Sequence, residues 1–119
     1  MNLQEYHERI DDEVIRPMLE FMQECGEDAE FSVADVENCR TILKNYIYTL
    51  DTLTDPDDDR IMDVVRQTVL ALNELNERTD YALIETMERE AICMLVQDAA
   101  EKCGLQAELD DVTEAWREW

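Results

Sequence analysis

Glycine and proline are scarce, at two each in 119 residues. A β-rich fold with many tight turns needs more of both, and a Gly-rich phosphate-binding loop has no material to form from. Histidine is scarcer still, with His7 alone. A di-iron bundle requires a Glu-x-x-His on each of two helices, and a nucleophilic triad would have only this one imidazole to serve as base. No G-x-S-x-G turn accompanies it. Long apolar runs are missing too: none approaches the roughly 18 residues of a membrane span. The opening stretch MNLQEYHERIDDE carries acids where a secretory signal places bases, so a cytoplasmic protein without membrane contact is expected. Ten Lys and Arg face 31 Asp and Glu, a formal net charge of −21. Phosphates would find no counter-charge on such a surface, which excludes nucleic acid as an expected partner.

What is present supports a core. Apolar residues make up 45 % and charged ones 34 %, enough for residues 1–119 to fold as a single domain. Cys25, Cys39, Cys93 and Cys103 are 14, 54 and 10 positions apart. Without a C-x-x-C pair they read as small core fillers, in preference to a disulfide or a metal site.

Helical periodicity accounts for most of the chain. Leu3, Ile10, Val14, Met18, Phe21 and Cys25 predict a first helix over about Asn2–Cys25, stopped by Gly26 and kinked or broken near Arg16 by Pro17. Ser32, with Asp35 three residues on, should cap a second helix to about Leu53. Its apolar stripe of Val36, Cys39, Leu43, Tyr46 and Leu50 is regular, and its charges balance, so it is expected to be the most buried helix. Asp55 as cap and Pro56 at the first helical position should open a third helix ending near Glu77. Asp57, Asp58 and Asp59 then fall in its first turn, where carboxylates meet the positive end of the helix dipole. Arg78–Glu85 reads as a connection whose Tyr81, Leu83 and Ile84 tuck back. Thr86 should cap a fourth helix carrying Met87, Ile92, Leu95, Val96, Ala99 and Cys103, closed by Gly104. The remaining LQAELDDVTEAWREW suggests a loop and one short helix capped near Asp111. The expected fold is all-α, a four-helix bundle with a short C-terminal helix.

Few residues are arranged for chemistry. His7 lies on the apolar side of the first helix and reads as a partly buried structural residue. Asp55, Asp57 and Asp59 imitate the start of an EF-hand loop, but Arg60 stands where Gly is needed and Arg66 where the bidentate Glu is needed. A magnesium-dependent helical nucleotide pyrophosphohydrolase would hold metal with acids three or four apart on facing helices. Pairs such as Glu8 with Asp11, Glu85 with Glu88 and Asp98 with Glu101 have that spacing. Acids three apart occur eleven times here, however, close to what the composition alone produces. No E-E-x-x-E block and no basic set for a triphosphate accompany them, so neither metal nor cofactor is expected, and a catalytic role ranks second.

The acid is uneven: residues 1–31 carry −8, 51–63 carry −5 and 105–119 carry −4, while 32–50 is neutral. A solvated, salt-tolerant surface is one explanation. The sharper one is an acidic face that docks on a basic protein surface, with Asp57, Asp58, Asp59, Trp116 and Trp119 as partner-binding residues. The tryptophans, three apart, share a face, and they either anchor a partner or close one end of the core. The segment LNELNERTDYALIETMEREAICMLVQDAAEKCGL, followed by DVTEAWREW, resembles the C-terminal half of small acidic bacterial helical proteins of unassigned function. Those are similar in size and charge to immunity proteins that neutralise bacterial toxins. The resemblance implies a non-catalytic, protein-binding role and names no site residue. Pairing with a second copy of the chain stays open.

Overall fold

The computed structural model describes residues 1–119. The first helical rod consists of α1 (Leu3–Arg9), a π-helical stretch (Ile10–Ile15) and α2 (Arg16–Cys25). Pro17 does not break it. Proline has no N–H to donate and its ring would collide with the carbonyl four residues back, at Glu13. The backbone widens just upstream, and the Arg16 N–H reaches the Asp11 carbonyl five residues back. Widening inserts one residue into the register, so Val14 and Ile15 are both fully buried beside Ile10 and Met18. Phe21, expected inside, is 44 % exposed because the shifted register turns it outward, where it stacks on Phe31 at 6.1 Å. Gly26, at φ 57°, ends the rod as expected.

Three further helices complete the bundle: α3 (Val33–Thr52), α4 (Asp58–Arg78) and α5 (Thr86–Lys102). The start of α3 is a full capping box. Ser32 Oγ accepts the Asp35 N–H at 3.3 Å, and Asp35 accepts the Ser32 N–H at 2.8 Å. α3 lies against both α-helical parts of the first rod, its π-helical stretch, α4 and α5, which makes it central. It is nonetheless not the most buried: α4 buries eight residues and α3 six. The reason is that the C-terminal segment folds back over α4 and covers a side that the helices leave open.

Asp57, not Asp55, caps α4 by accepting the Arg60 N–H at 2.9 Å. Asp55 instead takes a left-handed conformation, φ 50°, that turns the chain before Pro56. Between α4 and α5, Leu83 and Ile84 are buried, and two polar side chains within the core hold their backbone. Ile84 N–H donates to Asn76 Oδ1 at 3.0 Å and Leu83 N–H to Thr79 Oγ1 at 3.3 Å. Tyr81 points out, on the left-handed backbone that it shares with Asp80. Glu85 rather than Thr86 precedes α5, without a side-chain cap. Met87 is 74 % exposed, because the inward face of α5 is set by Ile92, Leu95, Val96, Ala99 and Ala100.

At the far end of α5, the Leu105 N–H bonds to Ala100 O and the Gly104 N–H to Glu101 O. Gly104, at φ 113°, permits this turn and seats the buried Leu105. The final segment forms successive turns over 112–116 in place of the short helix expected there. One core of 26 buried residues draws on every helix and on Leu105 and Val112 of the tail, which fits one domain. No helix is long and apolar enough to cross a membrane.

Candidate protein-binding surface

Two of the three consecutive aspartates are committed to the fold. Asp57 caps α4. Asp58 reaches across to the tail, accepting the Gln106 N–H at 2.8 Å and the Ala107 N–H at 3.0 Å. Only Asp59 has no hydrogen-bonding or ionic partner, and it is exposed. Asp57 and Asp58 line a groove of about 630 Å³ together with Asp51, Asp55 and Lys102.

Trp116 and Trp119 are both half-buried and pack against the core. Asn73 on α4 fixes this end of the tail: its amide donates to Trp116 O at 2.8 Å and accepts the Glu118 N–H at 3.1 Å. Arg117 stands over the Trp119 ring at 5.5 Å and bonds to Asp111 at 2.9 Å. The Trp119 indole N–H is buried with no acceptor. Of the two roles open to the tryptophans, closing the core fits these contacts. Asn73 lies 15 residues beyond Asp58 on α4, about 22 Å along the helix axis, so the aspartates and the tryptophans do not form one patch.

The tail also runs beside α5, and Gln97 ties the two together. Its amide donates to Leu109 O at 3.0 Å and to Glu101 at 3.0 Å, while its oxygen accepts the Val112 N–H at 3.0 Å. A trough results, made of two adjoining hollows of about 390 and 620 Å³ that share Gln97 and Asp110. It has no counterpart in the expectations from sequence, since it depends on where the tail lies. The legible part was a polar Gln97 beside the buried Val96 on α5.

Ion pairing is sparse. Eight of the 31 carboxylates have a cationic partner within 4.0 Å, among them Asp98 with Arg9 at 3.1 Å and Asp11 with both Arg40 and Lys44. Other groups are quiet chemically. Burial pushes the Cys39 thiol up to about 12 and raises those of Cys93 and Cys103, so none of the three is primed as a thiolate. All four cysteines are free, and only Cys39 is a fully buried core filler; Cys25, Cys93 and Cys103 are half-buried, and of these Cys103 packs against the core. His7 is half-buried, its Nε2 enclosed without a partner. Three or more His, Cys, Asp or Glu are nowhere grouped so as to hold a metal ion. No family model matches this chain, and neither the curated proteins nor the solved structures contain a significant match to it.

Proposed function

We propose that the protein is a non-catalytic, cytoplasmic, acidic binding module that docks on a basic protein surface, in the manner of an immunity-like inhibitor or regulator. The observation that supports this reading is the state of the carboxylates: only eight of 31 are ion-paired within the chain. Unpaired surface charge of one sign creates a field that draws an oppositely charged partner and raises its association rate. The same field opposes self-association and repels phosphates and anionic lipid. Acids that the fold uses, such as Asp57 and Asp58, serve the partner only through that field.

The test is capture of partners by the 119-residue chain, followed by association kinetics for each captured protein at low and moderate salt. A partner with a basic surface whose association rate falls by roughly tenfold or more as salt rises supports the proposal. Capture of nothing, or rates indifferent to salt, overturns it in favour of an acidic bundle whose charge serves solubility. In parallel, nucleoside triphosphates with magnesium serve as an activity control. Release of pyrophosphate that is lost on Glu85→Gln and Glu88→Gln would establish the pyrophosphohydrolase alternative instead.

A further inference from the structure

The trough between α5 and the tail combines unpaired carboxylates with exposed apolar side chains. Its lining carries six carboxylates, Glu90, Asp98, Glu101, Glu108, Asp110 and Asp111, and no Lys or Arg. Asp98 and Asp111 are neutralised from outside by Arg9 and Arg117. Glu90, Glu101, Glu108 and Asp110 have no cationic partner. Large apolar side chains lie among them: Met94 is 63 % exposed on α5 and Leu109 42 % exposed on the tail. Gln97 links the two walls, one turn beyond Met94 and bonded to the Leu109 carbonyl. Met87 continues the same stripe two turns earlier.

From this arrangement we infer that the trough is a docking site for a basic, amphipathic segment of a partner protein, which seats a large apolar side chain against Met94 and Leu109 and places Lys or Arg beside the unpaired carboxylates. The inference rests on the reading of the protein as an acidic binding module and gives that module its site. Each alternative occupant meets a physical obstacle. A second copy of the chain would bring its own net charge of −21 to a trough without a cation. Nucleic acid and an anionic membrane meet the same repulsion. A basic polypeptide gains twice, since unbranched methionines adapt to varied apolar shapes while carboxylates select for cationic flanks. From Met87 to Glu101 the face runs 14 residues, about 21 Å, which is the length of a four-turn helix.

The decisive experiment uses the full chain and two synthetic peptides of about 15 residues: an amphipathic Lys–Leu helix, and a Lys–Ser peptide of the same charge. Calorimetry should give saturable one-to-one binding for Lys–Leu and binding weaker by roughly tenfold or more for Lys–Ser. Met94→Gln with Leu109→Gln should remove that preference, and Glu90→Gln with Asp110→Asn should weaken Lys–Leu binding by about tenfold. Glu20→Gln with Glu24→Gln, an equal change of charge at exposed positions on α2 outside the trough, should alter it less than about twofold. All substituted positions are exposed, and circular dichroism verifies that each variant is folded. Equal losses from both charge pairs, or equal affinity for the two peptides, would overturn the trough while leaving an acidic module intact. Failure of the protein to bind either peptide would remove both.

Discussion

Asn73 bonds to the main chain on both sides of Arg117: its amide nitrogen holds the Trp116 carbonyl at 2.8 Å and its oxygen holds the Glu118 N–H at 3.1 Å. One side chain of α4 therefore satisfies two groups of a segment that has no helix of its own. Asn73 is itself buried, so removing its amide leaves polar atoms enclosed without partners. Asn73→Ala should lower stability by about 1 to 3 kcal/mol, and the tail should become the first site cut in limited proteolysis. Unchanged denaturant midpoint and cleavage pattern would show that the tail is held by its tryptophans and by Asp58 and Gln97 without Asn73.

Asp58 and Asp59 make a sharper pair for comparison, because a sequence offers no means of telling them apart. Asp58→Asn weakens charge-assisted bonds to two tail amides and should cost about 1 to 2 kcal/mol. Asp59→Asn touches nothing and relieves repulsion, so its effect should stay within about 0.5 kcal/mol or be slightly stabilising. Urea midpoints of the two variants measure this directly. Equal effects would mean that the Asp58 bridge contributes nothing to stability in solution.

Local signals were strong enough to read directly: the Ser32 and Asp35 capping box, the Gly26 and Gly104 stops, and the apolar stripe of α3. Errors arose where one element's register depended on another's backbone. Pro17 suggested a kink or a break near Arg16; the helix is not broken, and a widened turn that ends there moves Ile15 inward and Phe21 outward. Asn73 and Asn76 lie four and seven residues after Val69, on the apolar stripe of α4. Polar residues at such positions require partners, a usable sign that something folds back over the helix. Which segment does so was not legible, and with it went the trough along α5, since tail placement is set by bonds from Asp58, Asn73 and Gln97 distant in sequence.

Tyr46 ties α3 to α5 through its hydroxyl, which donates to the Val96 carbonyl at 2.8 Å in the core. Burial raises its pKa well above the ordinary value, so the hydroxyl keeps its proton across the working range. Tyr46→Phe keeps the ring and removes one bond, and should cost about 1 to 2 kcal/mol. Thermal melting would register this as a loss of several degrees, whereas an unchanged melting temperature would indicate that the carbonyl is satisfied by the helix alone.

Salt should stabilise the fold. With most carboxylates unpaired, repulsion among them is the dominant long-range term, and added salt shortens its reach from about 8 Å at physiological strength to about 3 Å at 1 M. A rise of roughly 3 to 5 °C in melting temperature across that range is expected with sodium chloride. A fall would show that the nine ion pairs, which salt also weakens, outweigh the repulsion.

Acid should separate the tail from the bundle. Partial burial disfavours the Asp111 carboxylate, but bonds from the Thr113 hydroxyl at 2.6 Å, the Thr113 N–H at 2.9 Å and Arg117 at 2.9 Å outweigh it and hold its pKa below the ordinary value. A depressed carboxylate contributes its full stabilisation above the unfolded pKa, about 3.9, and loses it as pH falls through the lower folded value. The buried apolar core does not depend on that carboxylate, so helix content should persist while the tail loosens. Both tryptophans lie in that tail, which makes their fluorescence a local probe. Titration downward from pH 7 should shift their emission to longer wavelength below about pH 4, ahead of any change in circular dichroism. Asp111→Asn should show the shifted emission already at pH 7 and no acid step. Coincident transitions by the two probes, or an unaltered profile in the variant, would show that Asp111 does not hold the tail.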